Sequence, residues 1–149
     1  MSSRTAVQIR EFAAADLDGA LALWSETEGL GLNESDTHEA LHRFLDRNRG
    51  FSAVATSADG CVVGTVLCGH DGRRGTINHL AVAVAYRRQG IAARLLEHCF
   101  KRLEQAQVPR CNVFIYNENA EGTKFWARNG FEAATTWKTL QKRLDLNRD

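Results

Sequence analysis

The sequence predicts one α+β domain, residues 1–149, built around a mixed β-sheet. Three observations carry this reading. The chain has 149 residues, enough for one domain with a normal core. Its apolar pattern switches between period 2 and period 3.6 in the order β-α-α-β-β-β-α-β-α-β. Its second half holds one strand–helix–strand crossover, while two hairpin turns join the strands of the middle.

Taken in order, Ala6 to Phe12 alternates apolar and polar residues, the pattern of a first strand. Asp16 opens a helix whose Leu17, Ala20, Leu21 and Trp24 recur at helical spacing, and Gly29 and Gly31 end it. A second helix is expected from Asp36, with Asp36 as cap and Glu39 reaching back, and Leu41, Phe44 and Leu45 as its apolar stripe. Phe51 to Thr56 and Cys61 to Cys68 are β-rich runs joined by the turn Ala58-Asp59-Gly60. The loop Asp71-Gly72-Arg73-Arg74-Gly75 leads into a strand at Thr76 to Val84. A long amphipathic helix follows, about Gln89 to Gln107, with Ile91, Leu95, Leu96, Phe100 and Leu103 on one side. Pro109 separates it from a strand at Cys111 to Tyr116. A short helix, Ala120 to Asn129, stops at Gly130, and one or two closing strands are expected within Phe131 to Leu144.

Composition excludes several classes. With 44% hydrophobic and 25% charged residues, 12 Gly and 1 Pro, the chain is neither disordered nor collagen-like. A net charge of +1 gives no bulk attraction for nucleic acid, so an anion site must be local. Cys61, Cys68, Cys99 and Cys111 show no C-x-x-C pairing and most lie in apolar runs, as buried free thiols do. A reducing, cytoplasmic setting is therefore expected. No signal peptide or membrane span is readable, and neither metal nor membrane partner is expected.

The most informative stretch runs from His79 to Ala92. A strand enters a turn bearing Arg87, Arg88, Gln89 and Gly90, and a long helix starts there. The first amide N–H groups of a helix lack intrahelical acceptors and lie at the positive end of its dipole, which suits phosphate. Gly90 has no Cβ to obstruct an anion, and Ala92 is nearly as small. Downstream, Asn119-Ala120-Glu121-Gly122-Thr123-Lys124-Phe125-Trp126-Ala127-Arg128-Asn129-Gly130-Phe131 opens a helix after a strand and closes it with Gly-Phe. With both blocks present, the chain resembles the GNAT superfamily of acyl-CoA-dependent N-acyltransferases. Arg87 to Ala92 is similar to the family's Q/R-x-x-G-x-G/A loop, and the second block to its N-x-x-A-x-x-F-Y-x-x-x-G-F helix.

The resemblance implies a GNAT fold: a central mixed, mostly antiparallel twisted sheet flanked by about four helices. It implies acetyl-CoA as co-substrate and a small-molecule or peptide amine as acceptor, with direct transfer in a ternary complex, and it admits a homodimer. By the same resemblance, amides of Arg88, Gln89, Gly90, Ile91 and Ala92 would hold the pyrophosphate, with Arg87 alongside. Leu80, Ala81 and Val82 would form a bulged strand that pairs with pantetheine, and the Leu80 N–H would stabilise the oxyanion. Asn119 would bond the pantetheine arm, and Phe125 and Trp126 would lie near the thiol.

The chain departs from the family pattern at two positions. Asn78 stands where many members carry a Glu, and Trp126 where many carry a Tyr; neither can do the acid–base work. Asn78 could orient a water, His79 could serve as base, and Tyr116 could protonate the thiolate. Alternation along the strand puts His79 on the face away from Asn78, with Ile77 and Ala81, which favours a water route for the amine's proton. Acceptor selection has two opposed candidates. His70, Asp71, Arg73 and Arg74 in one loop would suit an acidic acceptor, and Glu26, Glu28, Asn33 and Glu34 around the first interhelical loop would suit a cationic one. Two rivals remain: a GNAT-fold module that binds CoA without catalysis, and a nucleotide- or nucleic-acid-binding domain. The second lacks a GxxxxGK[ST] motif and a readable aromatic platform.

Overall fold

The computed structural model describes residues 6–146. Five strands form one sheet in the order β1-β2-β3-β4-β5: Gln8–Glu11, Ala53–Thr56, Val62–His70, Gly75–Val82 and Cys111–Val113. The first three pairings are antiparallel and β4 with β5 is parallel, as the crossover predicts. The helices are α1 (Leu17–Ser25), α2 (His38–Arg47), α3 (Ile91–Gln105) and α4 (Ala120–Arg128). The described residues fall into two compact units divided between Tyr116 and Asn117, so α4 belongs to the second.

In the first unit the sheet is covered on both faces, which is why β2 and most of β3 are buried rather than alternating. On one face α3 lays Ile91 and Leu95 against Gly64, and Leu103 against Gly75; a Cβ at Gly75 would collide with Leu103, and one at Gly64 would crowd Ala55, Ile91 and Leu95. On the other face Leu17, Ala20, Leu23 and Trp24 of α1 and Leu41 of α2 pack with Val54, Leu67 and Ala81. Cys68 and Cys99 are buried between β3 and α3, and Cys61 is exposed.

Ends differ from the sequence expectation for local reasons. Asp16 opens α1 from the N-cap position as expected, but its carboxylate bonds away from the helix, accepting the Ala13 N–H and two hydrogen bonds from Arg10, each 2.8 Å. Helix α2 is capped by Thr37, whose hydroxyl accepts the Ala40 N–H, and not by Asp36. β5 stops at Val113, so Phe114, Ile115 and Tyr116 are exposed instead of paired. No closing strand forms within 131–144 among the described residues. Thr135, Thr136 and Trp137 supply β-propensity, but a strand exists only through its ladder, and none forms there among the described residues.

The Arg10–Asp16 pair gives an acid-stability prediction. Burial alone would raise the Asp16 carboxyl, but the Arg10 and Ala13 hydrogen bonds outweigh it and hold the group below the usual carboxylate range. Such a group stabilises the fold fully above its unfolded pKa of about 4, and the gain disappears as pH falls through the lower folded value. Melting curves between pH 6 and about pH 2.5 should show Asp16→Asn less stable than the parent at the upper end, with the gap closing in acid. A gap independent of pH would remove the carboxylate's charge from the explanation.

Candidate active site

β4 is regular up to Asn78, which faces Leu67 of β3, and regular again from Ala81, which faces Thr65. Between them His79 and Leu80 together oppose Val66, a bulge. His79 takes up the irregularity with φ 51°, a value rare outside glycine. Two hydrogen bonds, one buried and one part-buried, brace it. The Trp24 indole N–H donates to Thr65 Oγ1 at 2.7 Å, and that hydroxyl donates to the His79 carbonyl at 2.8 Å. The extra residue inverts the alternation expected from sequence: Ile77 stays against α3, and His79 turns to the face of Asn78 and Ala81. There its ring meets Trp24 edge-on, centroids 4.6 Å apart.

The same ring reaches into the segment between α1 and α2. His79 Nε2 lies 2.8 Å from Asp36 Oδ1, with the two side chains only 17% and 8% exposed. Asp36 is in turn fixed by its own turn: Oδ2 accepts the Asn33 N–H at 3.0 Å, and its backbone N–H donates to the Asn33 carbonyl. The Tyr116 hydroxyl abuts Gly31 of this interhelical segment, so any side chain at Gly31 would strike it. The segment thus meets β4 at His79 and the residue after β5 at Tyr116.

β5 pairs with β4 only over Gly75–Ile77. Beyond Ile77 no described strand lies on that side of β4, so the edge from Asn78 to Val82 is open. A bulge bends and twists its strand, which accounts for the parting of β4 from β5 just where His79 intervenes. The open edge leads through a 3-10 turn, Val84–Tyr86, to the head of α3. Arg88 (φ 65°) and Gly90 (φ 78°) are both left-handed, and Gly90 is the N-cap without a side-chain bond. No acceptor among the described residues takes the backbone N–H of any residue from Arg88 to Ala93. Amides converging from such a turn form an anion-binding nest, reinforced by the dipole of a 15-residue helix. Arg87 is exposed and ties back to the Val82 carbonyl at 2.9 Å.

Other candidates have local duties. Asp71 accepts the N–H groups of Arg74 and Arg73, which hold its carboxyl below the usual range and shape the hairpin bend. His70 Nδ1 accepts the Gly72 N–H. This loop lies at the other end of β4, roughly 15 Å of strand from His79. In the second unit, Asn119 caps α4 by accepting the Gly122 N–H at 2.8 Å. Trp126 is buried there, edge-on to Phe125 and Phe131. Cys99 is an inert thiol, pushed up by its hydrogen bond with Cys68 and by burial. Among the described residues no group of three or more His, Cys, Asp or Glu is placed to hold a metal ion, and no helix is long and apolar enough to cross a membrane. Sequence reasoning missed Asp36, Thr65 and Trp24 as partners of His79. Asp36 and Trp24 were visible only as a cap and a core residue, and nothing local to Thr65 marks it.

The site is thus a half-open mixed sheet whose bulged strand, β4, leads to a nest of unpaired amides at the head of α3. The sequence model of the acetyltransferase (GNAT) family matches residues 17–131, and the chain belongs to that family. Among solved structures it is similar to Ard1 from Thermoplasma volcanium, with TM-score 0.76 and 20% identity over 87% of this chain and 84% of that one. The PaiA N-acetyltransferase from Thermoplasma acidophilum, in complex with coenzyme A, gives TM-score 0.76 and 20% identity over 91% and 93%. The ribosomal-protein-S18-alanine N-acetyltransferase of Escherichia coli gives 0.71 and 20% over 87% and 79%.

Proposed function

We propose that the protein transfers an acetyl group from acetyl-CoA to a primary amine, directly and without a covalent enzyme intermediate. The observation that carries this reading is the unsatisfied amide nest from Arg88 to Ala93 lying beyond the open edge of β4. The nest fits a pyrophosphate, with Arg88, Gln89, Gly90, Ile91 and Ala92 contributing amides and Arg87 a nearby charge. The open edge at Leu80, Ala81 and Val82 fits an extended amide-bearing arm that adds as a strand would. Acetyl-CoA supplies the thioester; the chain supplies position and dipoles. A backbone N–H at Leu80, beside the bulge, is the oxyanion donor in this reading. Tyr116 is exposed and neighbours the interhelical segment, where it can return a proton to the departing thiolate. Asn78 can orient the acceptor but takes no proton. The roles of Asn119, Phe125 and Trp126 toward pantetheine rest on the resemblance.

An amine acceptor accords with the complex of the related AAC(6')-Iy with a bisubstrate analogue, CoA-S-monomethyl-acetylneamine. The interhelical segment carries exposed Glu26, Glu28 and Glu34, whereas the basic hairpin loop lies at the far end of β4, so a cationic acceptor is the expected class. A panel of diamines, amino acids, aminoglycosides and peptide N-termini, read by CoA release, tests this. Turnover should favour cationic members. Binding of acetyl-CoA with no turnover of any amine would instead support a CoA-binding module without catalysis.

A further inference from the structure

We propose that Asp36 and His79 form a proton-accepting pair, in which Asp36 fixes the imidazole so that Nδ1 is the base that deprotonates the acceptor amine. The inference rests on the transferase reading above and deepens it. An ionised carboxylate only accepts hydrogen bonds, so the 2.8 Å contact requires the proton on Nε2. Nδ1 is then the bare nitrogen, and it has no partner among the described residues. A histidine present only to fill the core would be expected to use both nitrogens or to lie flat among apolar groups. This one is held from three sides: Asp36 at Nε2, the Trp24 edge at the ring, and Thr65 at the carbonyl. Among the described residues Asp36 is the charged group in contact with it; Trp24 and Thr65 are neutral. Asp36 is tethered in its 3-10 turn, because its other oxygen accepts the Asn33 N–H. The strained φ at His79 is the conformation that turns the ring onto the face of Asn78, beside the strand edge assigned to the thioester.

The proton account closes. An alkylammonium gives one proton to Nδ1, and the resulting imidazolium is paired with the Asp36 carboxylate in a part-buried site that strengthens their attraction. The freed nitrogen lone pair forms a bond to the thioester carbon. The carbon–sulfur bond then breaks with its electrons going to sulfur. The second nitrogen proton passes to that thiolate, directly or through Tyr116, giving the amide and CoASH. The imidazolium releases the first proton to solvent, so one proton is lost per turnover. Asp36 is a positioning residue and His79 the base.

The test compares kcat/KM across pH for the parent, His79→Gln, Asp36→Asn and Asp36→Glu, with a substrate from the amine panel, alongside the thermal shift by acetyl-CoA. Expected is a rising limb in the parent that His79→Gln lacks, with a fall of about 100-fold or more on its plateau. Asp36→Asn should fall comparably, because an amide can donate to Nε2 and drive the proton onto Nδ1; Asp36→Glu should recover part of the rate. All four should keep the acetyl-CoA shift. In ¹⁵N-labelled protein, long-range ¹H–¹⁵N spectra should show the Nε2–H form in the parent and its loss in Asp36→Asn. A parent with turnover whose limb and plateau survive in both variants, or an Nδ1–H tautomer in the parent, overturns the pair. A parent that binds acetyl-CoA and acetylates no amine overturns the transferase reading itself, a separate failure.

Discussion

Acetyl-CoA at a hundredfold excess over its dissociation constant is expected to stabilise the parent by about 2.7 kcal/mol, and to leave Gly90→Glu unmoved. The loss should come from the ligand site and not from the fold. A Cβ at Gly90 meets no atom within 4 Å, so the side chain has room. Its φ of 78° charges any non-glycine residue about 1–2 kcal/mol for the left-handed conformation. What glutamate adds beyond that is a carboxylate at the mouth of six unsatisfied amides, where it competes with phosphate and repels it. Gly90→Ala separates the two effects. It bears the same backbone strain without the charge, and should bind acetyl-CoA weakly but measurably. Differential scanning fluorimetry with and without acetyl-CoA reads all three proteins. A Gly90→Glu protein that folds and shifts like the parent would remove the pyrophosphate from the head of α3.

That nest was legible in the sequence because everything that makes it is local. Arg88, Gly90 and the first turn of α3 lie within six residues, and a glycine before a long amphipathic run already announces an unprotected helix start. The face of His79 was illegible for the opposite reason. Alternation assumes one residue for one across the ladder, and the bulge breaks that count at a single step. What stabilises the bulge comes from Thr65 and Trp24, which are 14 and 55 positions away in the chain. Asp36 was misread for a subtler cause: it and Thr37 are both good caps, and local rules cannot tell which one the helix uses. Once Thr37 caps α2, the Asp36 carboxylate is released for His79. The length of β5 was overestimated because apolar Phe114 and Ile115 continue the strand pattern, while β4 has already turned away after Ile77.

The second large effect is expected at Trp24, which couples the core of the first unit to the bulge. Its side chain is 1% exposed, packs on Phe12 with ring centroids 6.5 Å apart, and meets His79 edge-on. Trp24→Ala removes a buried aromatic and leaves a cavity, a loss of roughly 3–5 kcal/mol, which lowers the melting temperature of a domain of this size by roughly 10–15 °C. Trp24→Phe keeps most of the packing and deletes the indole N–H. Thr65 Oγ1 can still donate to the His79 carbonyl, so this variant should lose only about 1 kcal/mol. Thr65→Val is the harsher conservative change. It is nearly isosteric, yet it strands the buried indole N–H, for a cost of about 1–3 kcal/mol, and removes the donor to the part-buried His79 carbonyl. The order expected in thermal melts is therefore Trp24→Phe mildest, with Trp24→Ala and Thr65→Val well below it. Because Thr65 holds the carbonyl that sets the His79 backbone, Thr65→Val should also weaken the Asp36–His79 contact, seen as partial loss of the Nε2–H signal. If Thr65→Val melts with the parent and keeps that signal intact, the bulge is held by strand pairing alone, and the hydrogen-bond chain from Trp24 to His79 contributes nothing to it.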